Sequence, residues 1–146
     1  MRVRILAVGT RMPGWVTTAY EEYTRRLRGA MRIDLEEIPV GRARADEEKK
    51  LLDRIGDDYL VALDERGKSL TTLQLARWLG ERQQDGRDLT FVIGGPDGHG
   101  PAILVKAALR WSLSALTFPH AMVRVILAEQ LYRAHSVLQN HPYHRE

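Results

Sequence analysis

Leu89-Thr90-Phe91-Val92-Ile93 runs directly into Gly94-Gly95-Pro96-Asp97-Gly98-His99-Gly100-Pro101. A five-residue run with only Thr90 polar is the pattern of a strand buried on both faces, as parallel sheets require. The glycines behind it permit backbone conformations and close approaches that a side chain forbids. A helix is expected from about Ala102 to Arg110. A strand, a glycine turn and a helix make half of a βαβ unit, and the same order recurs in both directions from here. Upstream, residues 2–8 read as a strand ending at Gly9. Val16, Ala19, Tyr20, Tyr23 and Leu27 fall at helical spacing between Trp15 and Arg28. Met31, Ile33 and Leu35 alternate as a strand closed by Pro39. Asp46 is the expected cap of a helix carrying Leu51, Leu52 and Ile55. Tyr59-Leu60-Val61-Ala62-Leu63 is a second buried strand, with a turn at residues 64–68. Thr71 and Gln74 form a capping box ahead of Leu75, Trp78 and Leu79. Downstream, Ala115-Leu116-Thr117-Phe118 reads as the last strand, stopped by Pro119. A long helix follows from about Ala121 to Gln139, with Val123, Ile126, Leu127, Leu131, His135 and Leu138 on one face. Five alternations of strand and helix predict an α/β fold, a mostly parallel sheet covered by helices on both faces. Ligands bind such sheets outside the carboxyl ends of the strands. The loops after Leu63, Ile93 and Phe118 are therefore the expected site.

The 146 residues suit one domain, expected over 1–146, and no Pro/Gly/Ser linker divides them. Cysteine is absent, which excludes thiol nucleophiles, disulfides and Cys-ligated metals. No apolar run approaches the ~18 residues of a membrane span. The N-terminus lacks the apolar core of a signal peptide, so the expected setting is cytoplasmic, with no membrane partner. Net charge is only +3. Its distribution is uneven, with both ends basic around an acidic middle. Ends that met in the fold would offer a positive surface to a polyanion such as RNA; a solvated surface rich in arginine is the plainer explanation.

The glycine turn is neither a Walker loop, since no Gly-Lys-Ser/Thr follows, nor a dinucleotide fingerprint, since Ile103 stands where the last glycine belongs. It serves either as a ligand cradle or as a simple connection. The tail His141-Pro142-Tyr143-His144-Arg145-Glu146 concentrates groups that exchange protons and hydrogen bonds. His135, His141 and His144 have metal-like spacing, but only the terminal Glu146 supplies a carboxylate nearby; a frayed end is the other reading. No Gly-x-Ser-x-Gly elbow supports a serine hydrolase. Glu129 and Arg133 form an i,i+4 pair of the kind common on helix surfaces. Trp15, Trp78 and Trp111 are expected to pack inside.

Taken together, Gly94-Gly95-Pro96-Asp97-Gly98, Leu113-Ser114-Ala115-Leu116-Thr117-Phe118-Pro119-His120, Val123-Arg124-Val125, Glu129-Gln130-Leu131-Tyr132-Arg133-Ala134 and Tyr143-His144-Arg145 resemble the SPOUT methyltransferases along the whole chain. Within that class they are most similar to the RlmH family. Val8-Gly9-Thr10, Leu63-Asp64 and Gly67-Lys68 also fit. The resemblance implies a C-terminal trefoil knot and S-adenosyl-L-methionine as methyl donor. It implies a homodimer acting on N3 of a pseudouridine in helix 69 of 23S rRNA, on the assembled 70S ribosome. Carried onto this sequence, the donor contacts fall on Leu63, Gly94, Leu113, Ser114, Ala115, Leu116, Thr117 and Phe118, close to the strand-end loops reached independently. No metal is implied.

Methyl transfer from a sulfonium needs alignment rather than a metal or a covalent enzyme intermediate. The imide proton of the pseudouridine must leave, so a proton acceptor or an anion-stabilising cation is required. His144 and Tyr143 are the candidates for orienting the base and handling that proton, with His141 behind them. Arg133 and Arg145 are candidates for holding the anion or a phosphate. Arg25, Arg26 and Arg28 are candidate contacts to RNA backbone, or simply a solvated helix face. The rival readings are a non-catalytic nucleotide-binding, ribosome-associated α/β module and a metal hydrolase built on the late histidines.

Overall fold

Five strands, all parallel, form a sheet of order β2-β1-β4-β3-β5. The strands are β1 (Val3–Val8), β2 (Ile33–Ile38), β3 (Tyr59–Ser69), β4 (Leu89–Ile93) and β5 (Leu109–Ser112). The helices between and after them are α1 (Gly14–Leu27), α2 (Arg44–Ile55), α3 (Thr72–Asp85), α4 (Pro101–Lys106) and α5 (His120–Leu138), with a 3-10 turn at Pro142–Arg145. This is a computed structural model; residues 1–145 are described, and Glu146 of the tail lies outside the described residues.

Alternation along each strand splits the core in two. Ile5, Val61, Phe91 and Trp111 face one way, against Tyr20 and Leu27 of α1, Leu75 and Leu79 of α3, and Leu127 and Leu131 of α5. Leu6, Val8, Leu60, Ala62 and Val92 face the other way, against Leu51 and Ile55 of α2 and Ile103 of α4. β4 is central and wholly buried, so Phe91→Ala would cost about 3–5 kcal/mol. Helices therefore cover both faces, as expected.

The capping box forms: Gln74 N–H donates to Thr71 Oγ1 at 3.1 Å, and Thr71 N–H donates to Gln74 Oε1 at 2.9 Å. Asp46 is not the cap of α2. Ala43 holds that position, and Asp46, three residues on, accepts the Ala43 N–H at 3.1 Å.

The fold departs from the expected pattern in two other places. Residues 64–68 do not turn. β3 continues to Ser69, with a break in register between Leu63 and Lys68 against β5. Gly67 permits this, because a Cβ there would lie 2.6 Å from the Arg110 carbonyl carbon. The last strand is also Leu109–Ser112 rather than 115–118, and α4 stops at Lys106. The segment 113–119 is a loop held by serine hydroxyls, with Ser112 Oγ donating to Ser114 O at 2.8 Å and Leu116 N–H donating to Ser114 Oγ at 3.0 Å. Short hydroxyl side chains compete in this way for backbone partners that a strand would need. Trp78 meets Phe91 edge-on and Trp111 meets it tilted in the core, but Trp15 is 55% exposed at the start of α1.

Candidate functional site

The register break of β3 at residues 63–66, the carboxyl end of β4 and the loop after β5 border a crevice of about 610 Å³. Its apolar wall comes from Leu63, Ile93, Leu113, Leu116 and Phe118, its polar rim from Arg44, Asp64, Glu65, Arg66 and Asp97. Gly94 lies where its Cβ would stand 2.9 Å from the Gly98 carbonyl carbon. The tight fold-back Gly95-Pro96-Asp97-Gly98 causes this: Gly98 N–H donates to Gly95 O at 3.0 Å, with Gly98 at φ +70°. Proline second and glycine last suit such a turn. The loop 113–119 is tied to the β3 extension by Thr117 Oγ1, which donates to Glu65 Oε2 at 2.9 Å. Of the eight residues singled out in the sequence for donor contact, Leu63, Gly94, Leu113, Ser114, Leu116, Thr117 and Phe118 line this crevice; Ala115 does not.

His120 and Val123, at the start of α5, close the crevice. Arg124 locks that end of the helix. It is 3% exposed, and its guanidinium donates to Gly9 O at 2.7 Å and to Glu37 Oε2 at 2.6 Å. Sequence reasoning singled out neither His120 nor Arg124 as site residues. The signal available was an arginine amid the apolar face of a helix, which must find partners when buried.

His99 also borders the crevice, behind the glycine turn, with a ring nitrogen 3.1 Å from Val92 O. Burial pushes its pKa below the ordinary histidine value, against smaller opposing effects of that hydrogen bond and of Asp64 and Glu48. The imidazole is therefore neutral at pH 7.

The tail forms a second cluster. Glu129 accepts from Arg133 Nε at 2.7 Å and from Tyr143 Oη at 3.3 Å on one carboxylate oxygen, and from Gln130 at 2.8 Å on the other. Both Glu129 and Arg133 are less than one-fifth exposed, so this is not the solvated surface pair expected. The Tyr143 ring meets Tyr132 edge-on at 4.6 Å and the Arg133 guanidinium at 5.0 Å. Burial, then the Glu129 charge and the Tyr23 hydroxyl, hold the Tyr143 pKa well above the usual phenol range. Tyr143 is thus a neutral hydrogen-bond donor and a poor base. His141 Nδ1 accepts the Tyr143 N–H at 3.2 Å, which makes it a local cap of the tail turn. His144 Nδ1 is buried and has no hydrogen-bond partner among the described residues. No group of three or more His, Asp or Glu among the described residues is arranged to hold a metal ion.

Crevice and tail are not brought together within one chain. None of Arg133, His141, Tyr143 and His144 lines the crevice. The tail is anchored 9 to 13 residues beyond His120, about 14–20 Å along the axis of α5.

A family model described as "Predicted SPOUT methyltransferase" matches residues 1–144. Ribosomal RNA large subunit methyltransferase H of Alkalilimnicola ehrlichii is 53% identical over 154 aligned residues, covering 99% of each chain. The protein of the same name from Thioalkalivibrio sulfidiphilus is 49% identical over 156, covering 100% of each. Among solved structures, the tRNA (m1G37) methyltransferase of Aquifex aeolicus shares the fold at a TM-score of 0.52 and 12% identity, over 90% of this chain and 70% of that one.

Proposed function

The chain belongs to the SPOUT methyltransferase family, and from that premise we propose that residues 1–146 form one domain that transfers a methyl group from S-adenosyl-L-methionine to N3 of a pseudouridine in helix 69 of 23S rRNA, in the assembled 70S ribosome. Two relatives that match nearly end to end carry the name of a large-subunit rRNA methyltransferase, which supports an rRNA substrate.

The observation that supports the donor is the crevice itself. Its size lies within the range of small-molecule sites. Apolar Leu63, Leu116 and Phe118 suit an adenine ring, and Gly94 leaves main chain approachable. Asp64, Glu65 and Asp97 suit the positive charge of the donor's sulfonium and ammonium groups, and Arg44 or Arg66 its carboxylate. Once bound, the donor supplies an already activated methyl group. The chain must then orient the base and remove its imide proton. His144 is assigned the proton: its Nδ1 has no partner among the described residues, whereas the Tyr143 phenol is held neutral. Tyr143 orients the ring, and Arg133 and Arg145 steady the anion or a phosphate. His141 shapes the turn that presents them.

The separation along α5 favours a homodimer in which the tail of one protomer serves the crevice of the other. A C-terminal trefoil knot is part of this reading. The path it needs agrees with the topology, since the chain leaves edge strand β5 and α5 returns to pack on α1, α3 and β4. No helix is long and apolar enough to cross a membrane among the described residues, and a cytoplasmic setting follows from the ribosomal substrate.

Incubation with labelled donor and unmethylated 70S ribosomes tests the proposal, with mass mapping of the rRNA fragment. Label on one helix 69 pseudouridine is expected. Label elsewhere, or none, contradicts it. Calorimetry separates the non-catalytic rival: the donor or its homocysteine product should bind without metal, and ATP should not.

A further inference from the structure

The tail has a hold on the body of the protein that the reaction itself does not explain. Arg26, on the exposed side of α1, carries its guanidinium 5.6 Å from the Tyr23 ring centroid, 5.5 Å from that of Tyr132 and 5.9 Å from that of Tyr143. These tyrosines come from α1, α5 and the tail. Guanidinium over aromatic faces at this range is attractive, and a planar cation can serve several rings at once. Glu22, one turn earlier, fixes the guanidinium by accepting from Arg26 at 2.7 Å. Beyond the clasp, the tail is held by α5, through His141 N–H to Ser136 O at 2.8 Å, Tyr143 Oη to Glu129 and the Tyr132 ring, and by the Tyr23 hydroxyl of α1, which meets that of Tyr143. The tail begins just after Asn140, which sits in the left-handed region at φ 57°, and chain ends with few ties fray.

We propose that Arg26 is a positioning residue for the methyl transfer: it clasps tyrosines of three elements and so holds the C-terminal segment in the one orientation that presents His144. The proposal rests on the functional reading above for what the tail does. It adds a residue that touches neither donor nor base and acts through Tyr143. A simple phosphate contact would need only the positive charge of Arg26, whereas the clasp needs its planar shape.

Two measurements on the full-length protein test it, with Arg26→Ala, Arg26→Lys and Glu22→Gln. Hydrogen exchange of the peptide covering 139–145 should quicken about tenfold in Arg26→Ala, and less in Glu22→Gln, while exchange in the core strands stays as in the parent. On ribosomes, kcat should fall about tenfold in Arg26→Ala with the donor KM unchanged, and Arg26→Lys should regain less than half of the loss. Unchanged tail exchange in Arg26→Ala overturns the clasp. So does full recovery of kcat by Arg26→Lys, which would make Arg26 a charge contact to RNA. A parent that leaves rRNA unmethylated removes the functional reading instead, and the exchange result still decides whether Arg26 holds the tail.

Discussion

The two ends of α5 are built on different principles. At its start, the crevice is main chain and apolar wall, and its shape depends on two glycines and on loops stitched by serine hydroxyls. At its finish, the tail cluster is charge and aromatic ring, with Glu129 satisfying Arg133, Gln130 and Tyr143 together. The first has the shape and lining of the proposed donor site. The second is a set of donors gathered on one carboxylate, next to the tail that carries His144. Binding and proton transfer should therefore fail separately when each end is damaged.

The sharpest break in that comparison is His144→Ala. It should lower kcat by roughly 10²–10³-fold, the scale of a lost acid–base group, and leave donor affinity by calorimetry as it was. Gly94→Val should do the reverse. A branched side chain cannot fit where a Cβ already meets the Gly98 backbone at 2.9 Å, so donor affinity should fall at least tenfold on the order of a lost binding contact. Tail exchange in that variant should match the parent. Tyr143→Phe keeps the ring against Tyr132 and loses the bond to Glu129. A fall of about three- to tenfold in kcat is expected, a single net hydrogen bond. Because the phenol pKa is raised, no fall in rate due to Tyr143 ionisation should appear below about pH 10 in the parent.

The smallest effect concerns stability. His99 and His135 both have pKa values depressed by burial, so the unfolded chain binds protons more readily than the folded one. Stability is complete above the unfolded value of about 6.5 and is lost as pH falls from there toward the folded values. The melting temperature should drop between pH 7 and pH 5, and His99→Gln should shrink that drop.

The buried strands were legible because parallel pairing leaves no polar face to blur the pattern: Leu60–Leu63 and Phe91–Ile93 read as core, and are. β5 was not legible. Leu109-Arg110-Trp111-Ser112 is a four-residue edge strand with Arg110 exposed, directly behind a helix, while Ala115–Phe118 mimics a strand in composition. The stretch Asp64–Lys68 has turn composition, yet it stays extended because Gly67 accepts the Arg110 backbone against it, a tertiary fact. The rule about strand ends located Gly94 correctly behind β4, whereas Leu63 lines the crevice from within β3 and residues 113–118 from a loop, not from the strand ends expected of them. That the tail stands apart from the crevice was within reach of helix arithmetic, since the 19 residues of α5 span about 28 Å. The clasp by Arg26 was not, because its partners lie in three separate elements.

Mixing two impaired chains tests most directly whether the ends of α5 cooperate across a dimer. Gly94→Val protein has a spoiled crevice and a sound tail; His144→Ala protein has the opposite. Unfolded together and refolded, they should regain a substantial fraction of parental methyl transfer to ribosomes, because each mixed dimer contains one sound crevice facing one sound tail. If the mixture stays as impaired as either chain alone while mixed dimers are shown to form, the tail does not act on the partner's crevice.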